Sequence, residues 1–370
     1  MLNRILLSSR SCRFINLSRF NLQTLLLNKL STMTGEPAEK KLHGTPKIGT
    51  HNGSFHCDEV LACFLLKQLD QYKDAEVIRT RDPKLLDTCD IVVDVGGVYD
   101  PSKHRYDHHQ RSFTDSMNSL WSEKKWVTKL SSAGLVYLHF GMDVISKILG
   151  LPTSDPVTVT IYDKMYENFM EEIDAIDNGI NQSESEPRYR ITSNLSSRVG
   201  HLNPKWNSKG MDEDVQFFKA MDLVGSEFLS KVTDYKETWL PARSLVLAAI
   251  KNRYNVDPSG QIICLEEGGC PWKDHLFTLE AELKVTPPIL YALFTDTHGN
   301  WRVQCVSVSM GSFENRLSLK EEWRGVRDDE LSEKSGIKGC IFVHTSGFIG
   351  GNKTYEGVLE MARQSINAGK

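Results

Sequence analysis

The chain has 370 residues, of which 40% are hydrophobic and 25% charged, enough for two cores of ordinary composition. Its net charge of −4 excludes a global field for nucleic acid, so any such site must be a local basic groove. No apolar run is long enough to span a bilayer, and eight scattered cysteines without a Cys-x-x-Cys pair point to free thiols in a reduced compartment.

Residues 1–45 differ in composition from the rest. Arg4, Arg10, Arg13, Arg19 and Lys29 all precede the first acid, Glu36, among leucines and serines. An arginine-rich, acid-poor, amphipathic start predicts a mitochondrial transit peptide rather than a secretory signal, whose apolar stretch arginines would interrupt.

From Lys47 the pattern turns α/β. Lys47-Ile48-Gly49-Thr50 reads as a strand ending in a polar cluster. Cys57 to Leu69 carries apolar residues at helical spacing. A strand over 75–80, a short helix over 83–87 and an apolar strand over 90–95, closed by Gly96-Gly97, follow. Strands alternating with helices predict a parallel sheet covered on both faces, with ligands beyond the carboxyl ends of the strands. Helices are predicted over 121–138 and 157–180. In the second of these, Ile161, Met165, Phe169, Ile173 and Ile176 form the buried face, and Asp174 and Asp177 share a face near the end. Residues 181–190 read as a loop or boundary, and 215–239 as a connecting helix. A second α/β region follows: a strand over 261–265, a helix after Pro271, a hairpin of 289–295 and 301–308 about His298-Gly299-Asn300, a strand over 341–344, and a helix from Thr354 to about Ser365.

The chemistry concentrates in polar clusters at strand ends. Tyr106-Asp107-His108-His109-Gln110 sets an acid and two imidazoles in a row. Upstream lie His51, His56 and Asp58; Asp94 ends the run Ile91-Val92-Val93; Asp174 and Asp177 come later. A dimetal centre that cleaves phosphoesters needs carboxylate and imidazole ligands with open positions for water and substrate. The metal ligands expected are His51, His56, Asp58, Asp94, Asp107 and Asp177, with Asp94 bridging two ions. Imidazoles mixed with hard carboxylates suit Mn²⁺, with Mg²⁺ or Zn²⁺ as alternatives. His108 and His109 are the expected catalytic residues, binding a phosphate oxygen or protonating the leaving hydroxyl.

Taken together, His51, His56-x-Asp58, Asp94, Asp107-His108-His109 and the Asp174/Asp177 pair resemble the motifs of the DHH phosphoesterase superfamily. The stretches Thr50 to Cys63, Tyr106 to Gln110, Ile173 to Ile180 and Gly339 to Gly357 resemble one branch of it, the melanocyte-proliferating-gene exonuclease family. The likeness covers nearly everything after Lys47. It implies a two-domain α/β fold: a parallel-sheet catalytic domain (46–190), a helical connector (191–240) and a smaller α/β substrate-binding domain (241–370), with the site in the cleft. It also implies 3′-to-5′ exonuclease activity on RNA and residence in mitochondria and nucleus. In the wider superfamily the first motif runs His-x-x-x-Asp-x-Asp; here it is one residue longer, and His56 stands where the middle aspartate is usual, which lowers the negative charge of the ligand set.

The glycine-rich run near the C-terminus offers a phosphate or 3′-end clamp. Ser346-Gly347 and Gly350-Gly351 allow backbone N–H groups to approach an anion at the start of a helix, with His344 and Lys353 as donors; Asp174 is grouped with these as substrate-binding. Trp206 beside Lys205 and Trp323 beside Arg324 are candidates for base stacking. The expected partner is single-stranded RNA, without membrane attachment. Two other functions fit the residues: hydrolysis of a small phosphate compound such as pyrophosphate or a dinucleotide, and RNA binding without catalysis on an inherited enzyme fold.

Overall fold

The computed structural model describes residues 44–207 and 209–369; the expected transit peptide lies almost wholly outside them. The chain forms two compact units. One holds residues up to 139 together with 173–221, the other 140–172 together with 222–370. The division differs from the expected one, because residues 140–172 group with the C-terminal part and residues 191–221 with the first.

The first unit is built on a five-stranded sheet of order β2-β1-β3-β5-β4. Its strands are β1 (Lys47–Thr50), β2 (Glu76–Arg79), β3 (Ile91–Val93), β4 (Tyr99–Asp100) and β5 (Arg105–Tyr106). β2, β1, β3 and β5 run parallel, and only the edge strand β4 is antiparallel. The parallel centre fits its sequence: Ile48, Ile91, Val92 and Val93 are buried on both sides, as crossover-connected strands require. The helix α1 (Cys57–Lys67) follows β1. It is buried nearly all round, with Val60, Leu61, Ala62, Cys63, Leu65 and Leu66 inaccessible to solvent. The short helix α2 (Pro83–Leu86) starts at Asp82, whose side chain accepts from Lys84 N.

The helix expected over 121–138 lies further on. Helix α3 is the single turn Met117–Leu120, residues 121–131 are irregular, and α4 runs from Ser132 to Leu149. Trp126 and Leu130 are buried from this irregular stretch. The helix expected over 157–180 is α5 (Pro156–Met165), a π-helical turn at Tyr166–Met170 and α6 (Glu171–Asp177). Ile161, Met165, Phe169 and Ile173 are buried as expected, but Ile176 is 41% exposed. The six-residue α7 (Leu195–Gly200) closes the first unit's functional region.

The second unit contains the long helix α8 (Glu213–Asp234) from Asp222 onward, and α9 (Leu240–Val256). Its sheet has order β6-β7-β8-β10-β9, formed by β6 (Ile262–Leu265), β7 (Tyr291–Thr295), β8 (Trp301–Cys305), β9 (Cys340–Val343) and β10 (Ile349–Asn352). β6 and β7 are parallel; the hairpin β7–β8 and the pairs β8–β10 and β10–β9 are antiparallel. Alternate residues serve two cores, as a period of two dictates. Ile262, Tyr291 and Leu293 pack with α11 (Asp328–Ser335) and α12 (Tyr355–Ala368) through Leu331, Val358 and Met361. Ile263, Leu265 and Ala292 pack with α9 and α10 (Trp272–Leu283) through Val246, Ile250, Trp272 and Leu276. Trp323 belongs to the first of these cores and is fully buried, so it is a packing residue and not a stacking platform. Among the described residues no helix is long and apolar enough to cross a membrane, and the seven described cysteines are free thiols.

Candidate metal centre

Three adjacent parallel strands of the first unit end together, and each delivers polar residues at its carboxyl end. His51 follows β1, Asp94 follows β3, and Asp107-His108-His109 follows β5. α1 starts at the same end with Asp58 and Glu59 in its first turn, where the positive end of the helix dipole favours carboxylates. Asp177 comes from the last residue of α6.

Asp94 is the hub. Its Oδ2 lies 3.3 Å from His51 Nε2, and its Oδ1 lies 3.4 Å from both His108 Nε2 and His109 Nδ1. Ser132 Oγ, from the start of α4, donates to Oδ1 at 3.1 Å. The backbone of Asp94 is left-handed, at φ 56°, a conformation that costs a non-glycine residue energy and that clusters at functional sites. His51 Nε2 also meets Glu59 Oε1 at 3.0 Å, and His108 Nε2 meets Asp177 Oδ2 at 3.0 Å. Ligand-capable atoms gather into three overlapping groups: His51, His56, Glu59 and Asp94; Asp94, His108 and His109; and Asp58, His108 and Asp177. Asp94 is shared by the first two and His108 by the last two.

The electrostatics follow from burying so many acids. Burial, together with the neighbouring charges of Asp94, Asp177 and Glu59, pushes the Asp58 carboxyl well above its usual range. Both Asp58 oxygens are inaccessible and, among the described residues, accept no hydrogen bond. Burial also opposes ionisation of Asp94, but its bonds to His108 and His51 prevail and hold it far below the usual carboxylate range. Burial disfavours charge on His51, yet Asp94 and Glu59 raise it to about 10; burial likewise opposes charge on His108, and Asp177 and Asp94 raise it to about 9. Among the described residues Asp58, Glu59, Asp94 and Asp177 make no ion pair with lysine or arginine; the charged partners of Glu59, Asp94 and Asp177 are imidazoles, beside the neutral donors Ser132 Oγ on Asp94 and His56 N on Glu59. Carboxylates this deeply buried are stable only when paired or when they coordinate a cation, so the donor set fits divalent metal.

The predicted ligands do not all stand alike. His51, Asp58, Asp94, Asp177 and the more exposed His56 converge, and His108 joins them as a buried member of two ligand groups. Asp107 is adjacent, but its oxygens are engaged: Oδ2 accepts from Gly97 N at 2.6 Å, and Oδ1 accepts from His109 N at 3.0 Å and meets His109 Nδ1 at 2.8 Å. It orients His109, whose side chain is 62% exposed. That contact with Asp107, outweighing burial, raises the pKa of His109. Asp174 belongs to none of the three ligand groups. It is fully buried, and its Oδ1 accepts from Ser131 N at 2.9 Å and Ser131 Oγ at 2.8 Å, just ahead of α4. Glu59 is a residue the sequence reading missed. Its carboxylate accepts from His56 N at 2.8 Å and 3.0 Å, so in sequence it resembles the acid of a helix cap.

The C-terminal glycine run belongs to the second unit and is organised as a turn and a strand. Ser346 N donates to His344 Nδ1 at 3.2 Å and Gly347 N to His344 O at 2.8 Å, while Lys353 N donates to Gly339 O at 2.9 Å. Gly350 and Gly351 lie in β10, paired on both sides. An added Cβ at Gly350 would lie 2.9 Å from Met361 Cε, and one at Gly351 would lie 2.6 Å from Arg302 Nη1. These glycines answer a packing need. The expected clamp loses its backbone donors, and His344, Ser346 and Lys353 keep only exposed side chains.

Beside the acids lies a cavity of 390 Å³. Its walls are Phe55, His56, Cys57, Asp58, His109, Ile173, Ile176 and Asp177, with Ser196, Ser197 and Gly200 of α7. The first unit is thus an α/β scaffold that presents a buried acid-and-imidazole cluster, of the kind that binds divalent cations, at the ends of parallel strands. The profile of the MYG1 exonuclease family, described as an uncharacterised protein family (UPF0160), matches residues 47–366, and the chain belongs to that family. Similar proteins include MYG1 exonuclease of Homo sapiens, 57% identical over 330 residues that cover 89% of this chain and 88% of the relative. MYG1 exonuclease of Bos taurus is 56% identical over 91% of this chain and 90% of its own length. A MYG1 protein of Saccharomyces cerevisiae is 45% identical over 86% and 95%. A solved pGpG-specific phosphodiesterase, PggH from Vibrio cholerae, aligns over 88% of this chain and 98% of its own at 15% identity and a TM-score of 0.27, a likeness too slight to bear on fold or chemistry.

Proposed function

We propose that this chain is a divalent-metal-dependent hydrolase of phosphodiester bonds that removes nucleotides from the 3′ end of single-stranded RNA. The observation that carries the reading is the set Asp58, Glu59, Asp94 and Asp177, four acids with no lysine or arginine partner among the described residues and with neither oxygen of Asp58 hydrogen-bonded there. His51, Glu59 and Asp94 would hold one ion and Asp58, His108 and Asp177 a second, with His56 beside the first; the mixture of imidazole and carboxylate suits Mn²⁺, and also Mg²⁺ or Zn²⁺. Bound metal supplies a Lewis acid and lowers the pKa of water toward neutrality. His109 is held by Asp107 through Nδ1, lines the cavity and has a raised pKa, so it can carry a proton to the leaving 3′-hydroxyl. His108, buried between Asp94 and Asp177, is a ligand in this scheme rather than an acid.

The family's name supports exonuclease action. Direction and RNA preference rest on the resemblance of the motifs, as does the nuclear share of the protein. Delivery to the mitochondrial matrix rests on the arginine-rich start, as does the transit peptide itself. The two-domain phosphoesterase arrangement, with the C-terminal unit binding substrate, is part of the same proposal. One observation favours a rival: a cavity of 390 Å³ is a small-molecule volume, suited to a dinucleotide or pyrophosphate. Oligoribonucleotides labelled at either end, with and without Mn²⁺, separate the two. Metal-dependent release of mononucleotides from the 3′ end in a ladder supports the proposal, and cleavage of dimers alone supports the rival.

A further inference from the structure

The site's own region contains a stretch whose charge runs against the rest of the chain. Between Glu186 and Asp212 there is no acid, while three arginines and two lysines fall within it, in a protein of net charge −4. Arg188, Arg190, Lys205 and Lys209 are all exposed, and among the described residues none pairs with a carboxylate. Two aromatic side chains stand in solvent among them: Tyr189 is 74% exposed and Trp206 97%. Large aromatic rings left in water beside unpaired cations are the composition of a single-strand binding surface, where rings stack on bases and cations follow phosphates.

The middle of this stretch is part of the cavity. α7 supplies Ser196, Ser197 and Gly200 to the wall that also carries Asp58, His109 and Asp177. At no more than about 3.5 Å per residue, Arg190 is within about 21 Å of Ser196 and Lys205 within about 18 Å of Gly200. Cations and rings therefore flank the cavity on both sides along the chain.

We propose that residues 188–207, with Lys209, form a track for single-stranded nucleic acid on the first unit. Tyr189 and Trp206 stack on bases, the four exposed cations contact phosphates, and the wall formed by α7 passes the strand's end to the acid-and-imidazole cluster. This deepens the proposed function and rests on it for the fate of that end, but not for the binding itself.

The test uses the full chain in chelator and a fluorescent 20-nucleotide RNA with phosphorothioate linkages, with affinity measured by anisotropy across salt concentrations. Replacing the four cations (R188Q/R190Q/K205Q/K209Q) is expected to weaken binding and to lower the slope of log affinity against log salt by about 3, at roughly 0.7 per phosphate contact. The pair Y189A/W206A is expected to weaken binding about tenfold or more while leaving the slope unchanged. Turnover of bis(p-nitrophenyl) phosphate with Mn²⁺ should stay within about twofold of wild type in both variants, because none of these residues lines the cavity. Unchanged RNA affinity and slope in both variants would overturn the inference, as would equally strong displacement of the RNA by polyglutamate, which would mark the patch as a dock for acidic protein. If wild type binds RNA through these residues but hydrolyses no diester, the inference stands and the proposed function fails. If wild type degrades RNA and the variants match it, the reverse holds.

Discussion

Asp58→Asn should make the metal-free protein more stable and less able to bind metal. The wild-type carboxylate is 1% exposed, has no hydrogen-bond donor on either oxygen among the described residues and sits among Asp94, Asp177 and Glu59. An unsatisfied buried polar group costs about 1–3 kcal/mol, and more when it is charged. An asparagine of the same shape removes the charge and brings an amide N–H that can donate to the surrounding acids. The expected gain is therefore about 1–3 kcal/mol in chelator. At roughly 2–4 °C per kcal/mol for units of this size, the melting temperature should rise by about 2–12 °C. The pH dependence has a definite sign. Because the folded carboxyl titrates well above its ordinary 3.8, wild type carries no penalty below that value and a growing one as pH rises through the folded value. The advantage of Asp58→Asn should thus be present at neutral pH and vanish in acid. Conversely, Mn²⁺ at about one hundred times its dissociation constant should stabilise wild type by about 2.7 kcal/mol and the variant far less. Thermal unfolding with and without Mn²⁺, from acid to neutral pH, reads all of this. A variant that is less stable than wild type in chelator and gains equally from Mn²⁺ refutes the reasoning.

Asp174→Ala should behave in the opposite way. It strips two hydrogen bonds from buried Ser131 and should cost about 2–4 kcal/mol by denaturant titration, with metal affinity little changed. In the second unit, Arg316 clasps Glu280 with both nitrogens, at 2.8 Å and 2.7 Å, and both side chains are largely buried. Glu280→Ala leaves the guanidinium unpaired and should cost about 3 kcal/mol in the same assay. Asp107→Asn, which weakens the hold on His109 without removing a ligand, should lower kcat by about tenfold or more and shift the alkaline limb of the pH–rate profile downward, with Mn²⁺ affinity retained.

The cluster was legible wherever strand patterning placed it. Ile91-Val92-Val93 announces a buried parallel strand, and the residue after such a strand faces the ligand end of the sheet, which located Asp94. β5, only Arg105–Tyr106, is too short to show a period, so the position of Asp107 and His108 was found from their chemistry rather than from a strand. Asp174 and Asp177 sit three apart on one helix, a spacing that suggests a shared role; what separates them is their surroundings, since Ser131 takes the first and His108 the second. Glu59 was hidden because an acid at the third position of a helix has an ordinary local explanation. Gly350 and Gly351 misled because glycine is a poor strand former, and their reason for being there, side chains from Met361 and Arg302 pressed against the backbone, is a tertiary fact.

The central claim is that Asp58, Glu59, Asp94 and Asp177, with His51 and His108, exist to hold divalent cations. It is tested most directly by the metal content of the full chain after dialysis against Mn²⁺, read by plasma mass spectrometry beside Asp94→Ala. The account predicts about two ions per chain for wild type, as a dinuclear hydrolytic centre requires, and less than half that for the variant. A folded wild-type chain that retains no Mn²⁺, or an Asp94→Ala chain that retains as much as wild type, contradicts it.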